Sequence, residues 1–227
     1  MDIGPRFRPK TVQGDSGTVR SHFLHIRKCG GSAIRAALAP FVEPKRIVLH
    51  AHKVRLADIA RDEPVFFSVR HPIARFVSGF NSRVRKGAPL YQRPWNAEEA
   101  DAFAQFETPE QLALALGDGS SRSAAENAMR GIAHVRHLLS QSMSLEEIDR
   151  HSVIWIGFQE TLDYDFERLK HVLGLPAGAK LPEDPVIAHR TPDEFPRSLS
   201  DRARQNLEDW YADDIALYEA LRLRKPV

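Results

Sequence analysis

Cysteine is almost absent. Cys29 is the only one in 227 residues, so no disulfide can close within the chain. A reducing compartment is thereby permitted, and a cytoplasmic location is the simplest expectation. No run approaches the roughly 18–20 consecutive apolar residues that cross a bilayer, so no membrane span is expected. The opening MDIGPRFRPKTVQGDSGTVR lacks the apolar core of a signal peptide. It reads as a flexible leader over 1–20, ahead of a single domain over 21–227. A surplus of one charge is missing too: 32 Lys and Arg face 30 Asp and Glu, a formal net charge of +2. This balance argues against a nucleic-acid partner, and any basic site must be local. The string GxxxxGK[ST] does not occur, which weighs against a small-molecule kinase of P-loop-like type.

What is present alternates between two patterns. SHFLHI (21–26), RIVLH (46–50), PVFFSV (64–69) and VIWIG (153–157) read as strands, the third apolar nearly throughout as a buried parallel strand should be. Apolar residues at helical spacing mark helices over 32–41, 72–84 and 162–173, and a last one over 199–223. A short helix is expected over 54–61. In the middle, APLYQRPWN reads as a loop, TPEQ opens a helix that Gly117 ends, 124–139 reads as helical, and SLEE is a second capping box. Residues 175–198 are proline-rich and read as irregular. Strands alternating with helices give an α/β class: a three-layer P-loop-like fold with a central parallel sheet of four or five strands flanked by helices.

KCGGS places Lys28, Cys29, Gly30, Gly31 and Ser32 where the first strand turns into a helix. Such a turn faces the ligand crevice of a parallel sheet, and unpaired N–H groups at a helix N-terminus attract anions. Glycines let those groups come close, Lys28 adds a charge and Ser32 a hydroxyl donor. The same string also fits a plain helix-start turn with a surface lysine. In VRHPIARFVS, Arg70 ends the third strand and Ser78 lies two turns into the next helix. A guanidinium grips phosphate as a fork and a serine hydroxyl donates to another oxygen; singly, these residues equally suit a surface ion pair and close helix packing. Arg75 reads as a solvated helix arginine. HAH at 50–52 follows the second strand, and on an extended segment residues two apart face the same way. Both His50 and His52 are therefore expected to face the crevice. His-x-His is also a common metal pair, but no third ligand lies at a telling spacing, so no metal is expected. HVRH (134–137) reads as a solvated helix face. Arg83, Arg85 and Lys86 suit either helix-end charges or contacts to an anionic acceptor or the donor's 3′-phosphate. Tyr91, Trp95 and Trp155 read as packing residues that could also stack on a ring. A helix N-terminus makes a reactive Cys29 thiol plausible.

Taken together, the two anion-binding segments resemble those of the sulfotransferases that use 3′-phosphoadenosine 5′-phosphosulfate (PAPS), particularly the carbohydrate sulfotransferases and their bacterial relatives. That family shows a strand, a lysine-threonine-glycine-like loop and a helix, then strand–Arg–(Asp/Asn)–Pro–x–x–Arg–x–x–Ser. Here Arg70, Pro72, Arg75 and Ser78 fall at the expected offsets. IGFQETLDYDFERLKHVLGLP and a closing segment with a Tyr-x-x-Asp pattern extend the likeness over roughly 21–223. The resemblance implies that Lys28 through Ala33 hold the donor's 5′-phosphosulfate, with Cys29 and Ala33 standing where hydroxyl residues are usual. It implies that Arg70 and Ser78 hold the 3′-phosphate. Heparan sulfate 2-O-sulfotransferases carry a similar His-Gly-His, whose second histidine looks like the general base. That role falls on His52, with His50 supporting it and Lys28 stabilising the leaving group. The implied partners are a nucleotide donor and a hydroxylated acceptor, a glycan or small molecule. A non-catalytic nucleotide- or glycan-binding module on the same fold is the remaining alternative.

Overall fold

A computed structural model describes residues 20–188 and 191–224. Apart from its last residue, the expected leader lies outside the described residues. The strands are β1 (Ser21–Leu24), β2 (Ile47–Leu49), β3 (Val65–Val69) and β4 (Val153–Phe158). All pairs are parallel, in the order β2-β1-β3-β4. The helices are α1 (Gly31–Leu38), α2 (Pro72–Val84), α3 (Ala97–Gln105), α4 (Pro109–Ala115), α5 (Arg122–Gly131), α6 (Leu145–Arg150), α7 (Leu162–Leu173), α8 (Asp201–Trp210) and α9 (Ala212–Leu223).

Successive strand side chains alternate between the sheet's faces, and both faces are covered. Phe23, Phe66 and Trp155 pack with Ile34 and Leu38 of α1 and with Phe166 and Leu169 of α7. Leu24, Phe67 and Ile156 pack on the other side with Ile148 of α6 and with Leu217 and Leu221 of α9. Burial on two sides is why β3 and β4 carry almost no polar residue. The α/β class and the flanked parallel sheet agree with the expectation, with four strands among the described residues. A third cluster joins Phe76 and Phe80 of α2 to Phe103, Leu112, Met129 and Leu207, making a helical lobe from α2, α3, α4, α5 and α8.

Strand order locates the crevice. From β1 the chain crosses through α1 to β2 on one side, whereas from β3 it leaves for β4 on the other. The two connections part between β1 and β3, and ligands of open parallel sheets bind at such a point, beyond the carboxyl ends of the strands. Lys28, His52, Arg70 and Glu160 each follow a strand end and line one cleft there.

Four local expectations need correction. The helix read over 124–139 ends at Gly131, because the Glu99 carboxylate accepts from Ala133 N at 3.0 Å and a Cβ on Gly79 would come within 3.0 Å of His134 O. The final helix is two helices: Tyr211 breaks it at φ −104° and ψ 21°, so that α8 serves the helical lobe and α9 the sheet. The stretch over 54–61 holds only a three-residue 3₁₀ turn, Leu56–Asp58. Helix α3 was not anticipated, although Asn96 and Glu99 form its capping box.

Two arginines expected at the surface are instead buried. Arg83 is 0% exposed and forks onto Glu99 at 2.6 Å through both Nε and Nη2. Arg75, 3% exposed, donates from Nη2 to Asp214 Oδ2 at 3.0 Å and from Nη1 to His137 O. Asp214 also accepts from Leu139 N at 2.5 Å and from Ser140 N at 3.1 Å. One carboxylate thus holds α2, α9 and the turn after α5 together. Removing one partner of a buried pair leaves the other charge without compensation. Asp214→Ala is expected to cost about 3–5 kcal/mol in urea unfolding, whereas the exposed neighbour Asp213→Ala stays within about 0.5 kcal/mol of the parent.

Candidate active site

The cleft at the carboxyl edge has a volume of about 1600 Å³. Single small-ligand pockets run to about 1,000 Å³, so this one has room for two substrates side by side. It is built from the β1–α1 turn outward. Lys28 adopts φ 63° and Gly30 φ 81°, both left-handed. That curl lays the turn over the end of the sheet, and Ser68 Oγ donates to Cys29 O at 2.6 Å to pin it. A Cβ on Gly30 would fall 2.7 Å from Leu162 Cδ2, and one on Gly31 would collide with the His25 ring. Both glycines are therefore demanded by close approach, and Gly30 by its φ as well. Helix α1 begins with no side-chain cap and no acidic residue in its first turn. Its first residues, Gly31, Ser32 and Ala33, line the cleft, an arrangement suited to an anion.

Arg70 and Ser78 line the same cleft as Lys28, Gly30, Gly31, Ser32 and Ala33. The Arg70 Nε is buried and has no hydrogen-bond partner among the described residues, and burial above all lowers the guanidinium's pKa. Lys28 is more strongly affected. Burial first, then the cations Arg85 and Arg70, pull its ammonium down to about 7. The three nitrogens of Arg85 are buried without hydrogen-bond partners, its guanidinium lying 5.5 Å from the Phe195 ring centroid. Cations crowded together at this cost call for anionic charge in the cleft. Glu160 is tethered instead, accepting from His71 N at 2.8 Å and from Tyr218 OH at 3.2 Å. His71 in turn caps α2 by accepting from Ile73 N at 3.3 Å.

The histidines divide. His52 lines the cleft, its Nδ1 3.0 Å from the carbonyl oxygen of His25. A carbonyl only accepts, so Nδ1 carries the proton and Nε2 keeps its lone pair. Burial lowers the His52 pKa below the ordinary imidazole value, the bond to His25 working the other way and Arg27, Arg35 and Lys28 adding to the lowering. His50 does not join it. Its Nε2 lies 2.8 Å from His22 Nδ1, the two rings stack at 5.1 Å, and His22 Nε2 reaches Glu63 at 3.0 Å. Strand β2 ends at Leu49 and a turn takes in His52, so the alternation expected of an extended His-Ala-His is lost, and His50 is not among the residues lining the cleft.

Cys29 also departs from expectation. Its thiol is fully buried among Leu24, Phe67 and Val69 under the turn, and burial pushes it up to about 11. Position 29 thus presents only backbone to an anion, and the plausible thiol reactivity is not supported. Two contributors escaped the sequence reading. His25, at the end of β1, is packed between Gly31 and His52, and nothing in its spacing marks it. His134 sits in a turn, not on a solvated helix face; it lines the cleft, its Nε2 lies 3.1 Å from Tyr91 OH, and burial, then Lys28 and Arg27, hold it down to about 2. Trp155 is core and Trp95 packs on Phe103, whereas Tyr91 lines the cleft.

The buried thiol makes a direct forecast. With thiolate as the reactive form, Cys29 in the folded chain is expected to resist a thiol-specific reagent at pH 8 and to react in full on unfolding in urea; rapid labelling of the native chain would contradict the burial.

A family model described as "Sulfotransferase family" matches residues 20–219. No curated protein and no solved structure matches the chain.

Proposed function

The chain belongs to the sulfotransferase family and is an enzyme of sulfuryl transfer, and we propose that its donor is PAPS and its acceptor a hydroxyl on a carbohydrate. One observation carries the donor assignment. The amide-lined turn at Lys28 and the guanidinium of Arg70 line a single cleft, and Arg70 lies close enough for its charge to add to the lowering of the Lys28 pKa. A nucleotide with an anionic group at both ends suits two such grips. Lys28 with the N–H groups of Gly31 and Ser32 would hold the 5′-phosphosulfate, and Arg70 with Ser78 the 3′-phosphate. Breadth of the cleft beyond one nucleotide supports a sizeable acceptor beside the donor.

His52 is the general base in this reading. Its Nε2 accepts the proton of the acceptor hydroxyl as that oxygen forms its bond to sulfur. The bond from sulfur to the bridging oxygen breaks, and its electron pair stays on adenosine 3′,5′-bisphosphate. Lys28 and the turn's N–H groups stabilise that developing charge. A neutral imidazole is the competent form, and the lowered pKa keeps His52 neutral at pH 7. Positioning supplies much of the rest, as in phosphoryl transfer.

Calorimetry and kinetics test this. Calorimetry with adenosine 3′,5′-bisphosphate should show binding, whereas ATP with Mg²⁺ should bind weakly; the reverse order would sink the donor assignment. His52→Ala should keep bisphosphate binding and lose turnover by about 10²-fold or more. In the parent, the acid limb of kcat/KM should lie below the ordinary imidazole value, the rate falling as pH drops through it and His52 takes a proton. Lys28 sets the other limb. Because its ammonium titrates at about 7 in the free chain, bisphosphate binding at pH 8 should take up protons. Calorimetry in two buffers of different ionisation enthalpy reads that uptake, and Lys28→Ala should abolish it.

A further inference from the structure

Two imidazole pairs link β1 and the residue after it to the residues that follow β2. His22 meets His50 away from the cleft, and His25 meets His52 inside it. The second pair is much the closer. Its ring centroids lie 3.8 Å apart with planes inclined at 42°. On its other side the His25 ring lies against the Cα of Gly31, so tightly that no Cβ fits there. Behind it stands Phe23, ring centroids 5.7 Å apart. The His25 side chain is thus clamped by the floor of the sheet, by the first residue of α1 and by His52. Its own backbone oxygen holds Nδ1 of the same His52 ring at 3.0 Å.

We propose that His25 is a positioning residue, a rigid spacer that sets the distance and the tilt of His52 relative to the glycine turn. The assignment rests on His52 as base and on the turn as the grip for the transferred group. Contact through both ring and carbonyl restrains His52 in two independent ways: the carbonyl fixes which nitrogen carries the proton, and the ring fixes where the other nitrogen points. Because Gly31 touches the opposite side of the same spacer, base and anion turn move as one unit. In-line transfer needs this coupling, since a misplacement of about 1 Å can cost about 10²-fold in rate. Burial first, then His52 and Arg35, hold His25 down to about 3, so the spacer brings no charge of its own next to the base. The charges that reach His52 come from Arg27, Arg35 and Lys28, and His52 is also felt by His25 and His134.

Three substitutions test the spacer: His25→Phe keeps a flat ring, while His25→Gln and His25→Ala remove it. Each is measured for turnover, for bisphosphate affinity by calorimetry, and for His52 titration by NMR of histidine-labelled protein. His25→Phe should retain turnover and the parent's His52 titration. His25→Gln and His25→Ala should lower kcat by up to about 10²-fold with bisphosphate affinity unchanged. In both, water admitted to the vacated space should raise the His52 pKa toward its ordinary value, moving the acid limb of the rate profile to higher pH. Should His25→Ala fail to fold, His25→Gln and His25→Phe carry the comparison. Turnover and His52 titration left at parental values in the ringless variants would overturn the spacer role, as would bisphosphate affinity falling in step with kcat. If the parent binds bisphosphate but sulfates no acceptor, the fault lies with the transfer reading; the shift in His52 titration between parent and ringless variants still decides whether His25 positions that ring.

Discussion

The buried pair Arg75–Asp214 is the join on which the arrangement depends. Helix α2 begins beside Arg70 and carries Ser78 on its way to the helical lobe; α9 lies against the sheet. The two are held by a salt bridge 2–3% exposed, whose carboxylate also gathers the amides of Leu139 and Ser140. A low dielectric strengthens such a bond only while every lone pair is used. On the carboxylate it is, although Arg75 Nε is buried with no hydrogen-bond partner among the described residues: the sheet face, the helical lobe and the turn bearing His134 and His137 share one anion as their anchor. The cleft lies between the bodies so joined.

Against that anchored frame, the cleft gathers more cations than anions, and of its acids Asp193 is paired with Arg197. Lys28, Arg70 and Arg27 line it, with Arg85 close by, while Glu160 is occupied by the amide of His71 and the hydroxyl of Tyr218. Burial above all lowers both Lys28 and Arg70, and for Lys28 the neighbouring Arg85 and Arg70 add to the lowering. The histidines follow the same rule. His25, His134 and His137 are all pressed toward neutrality by burial and by the surrounding cations. A site so positive keeps its imidazoles uncharged, which is the state in which one of them can accept a proton.

Legibility in the sequence followed range. Strand and helix periods are local, so the sheet, its parallel sense and the turns at Lys28 and Arg70 could be read directly. Pairing across the chain could not. Arg75 and Arg83 look like any solvated helix arginine until Asp214 and Glu99 arrive from 139 and 16 residues away. His50 and His52 share a parity in the string, yet the strand ends at Leu49 and the turn at His52 separates them. His25 carries no motif of its own; only the absence of a Cβ at Gly31 hints that something flat must fit there. The helix broken at Tyr211 and the one cut short at Gly131 were missed because each stops for a tertiary contact, not for a local signal. The capping box of Asn96 and Glu99 was local, and could have announced α3.

Lys28 holds a backbone shape that belongs to glycine, at φ 63°. A side chain in that region carries a strain of about 1–2 kcal/mol. Relief is one substitution away, since a residue without a Cβ would settle the turn while deleting its charge. Thermal robustness and anion capture therefore pull on this position in opposite directions. Selection for a hardier fold alone would favour a sturdier turn that has lost its cation.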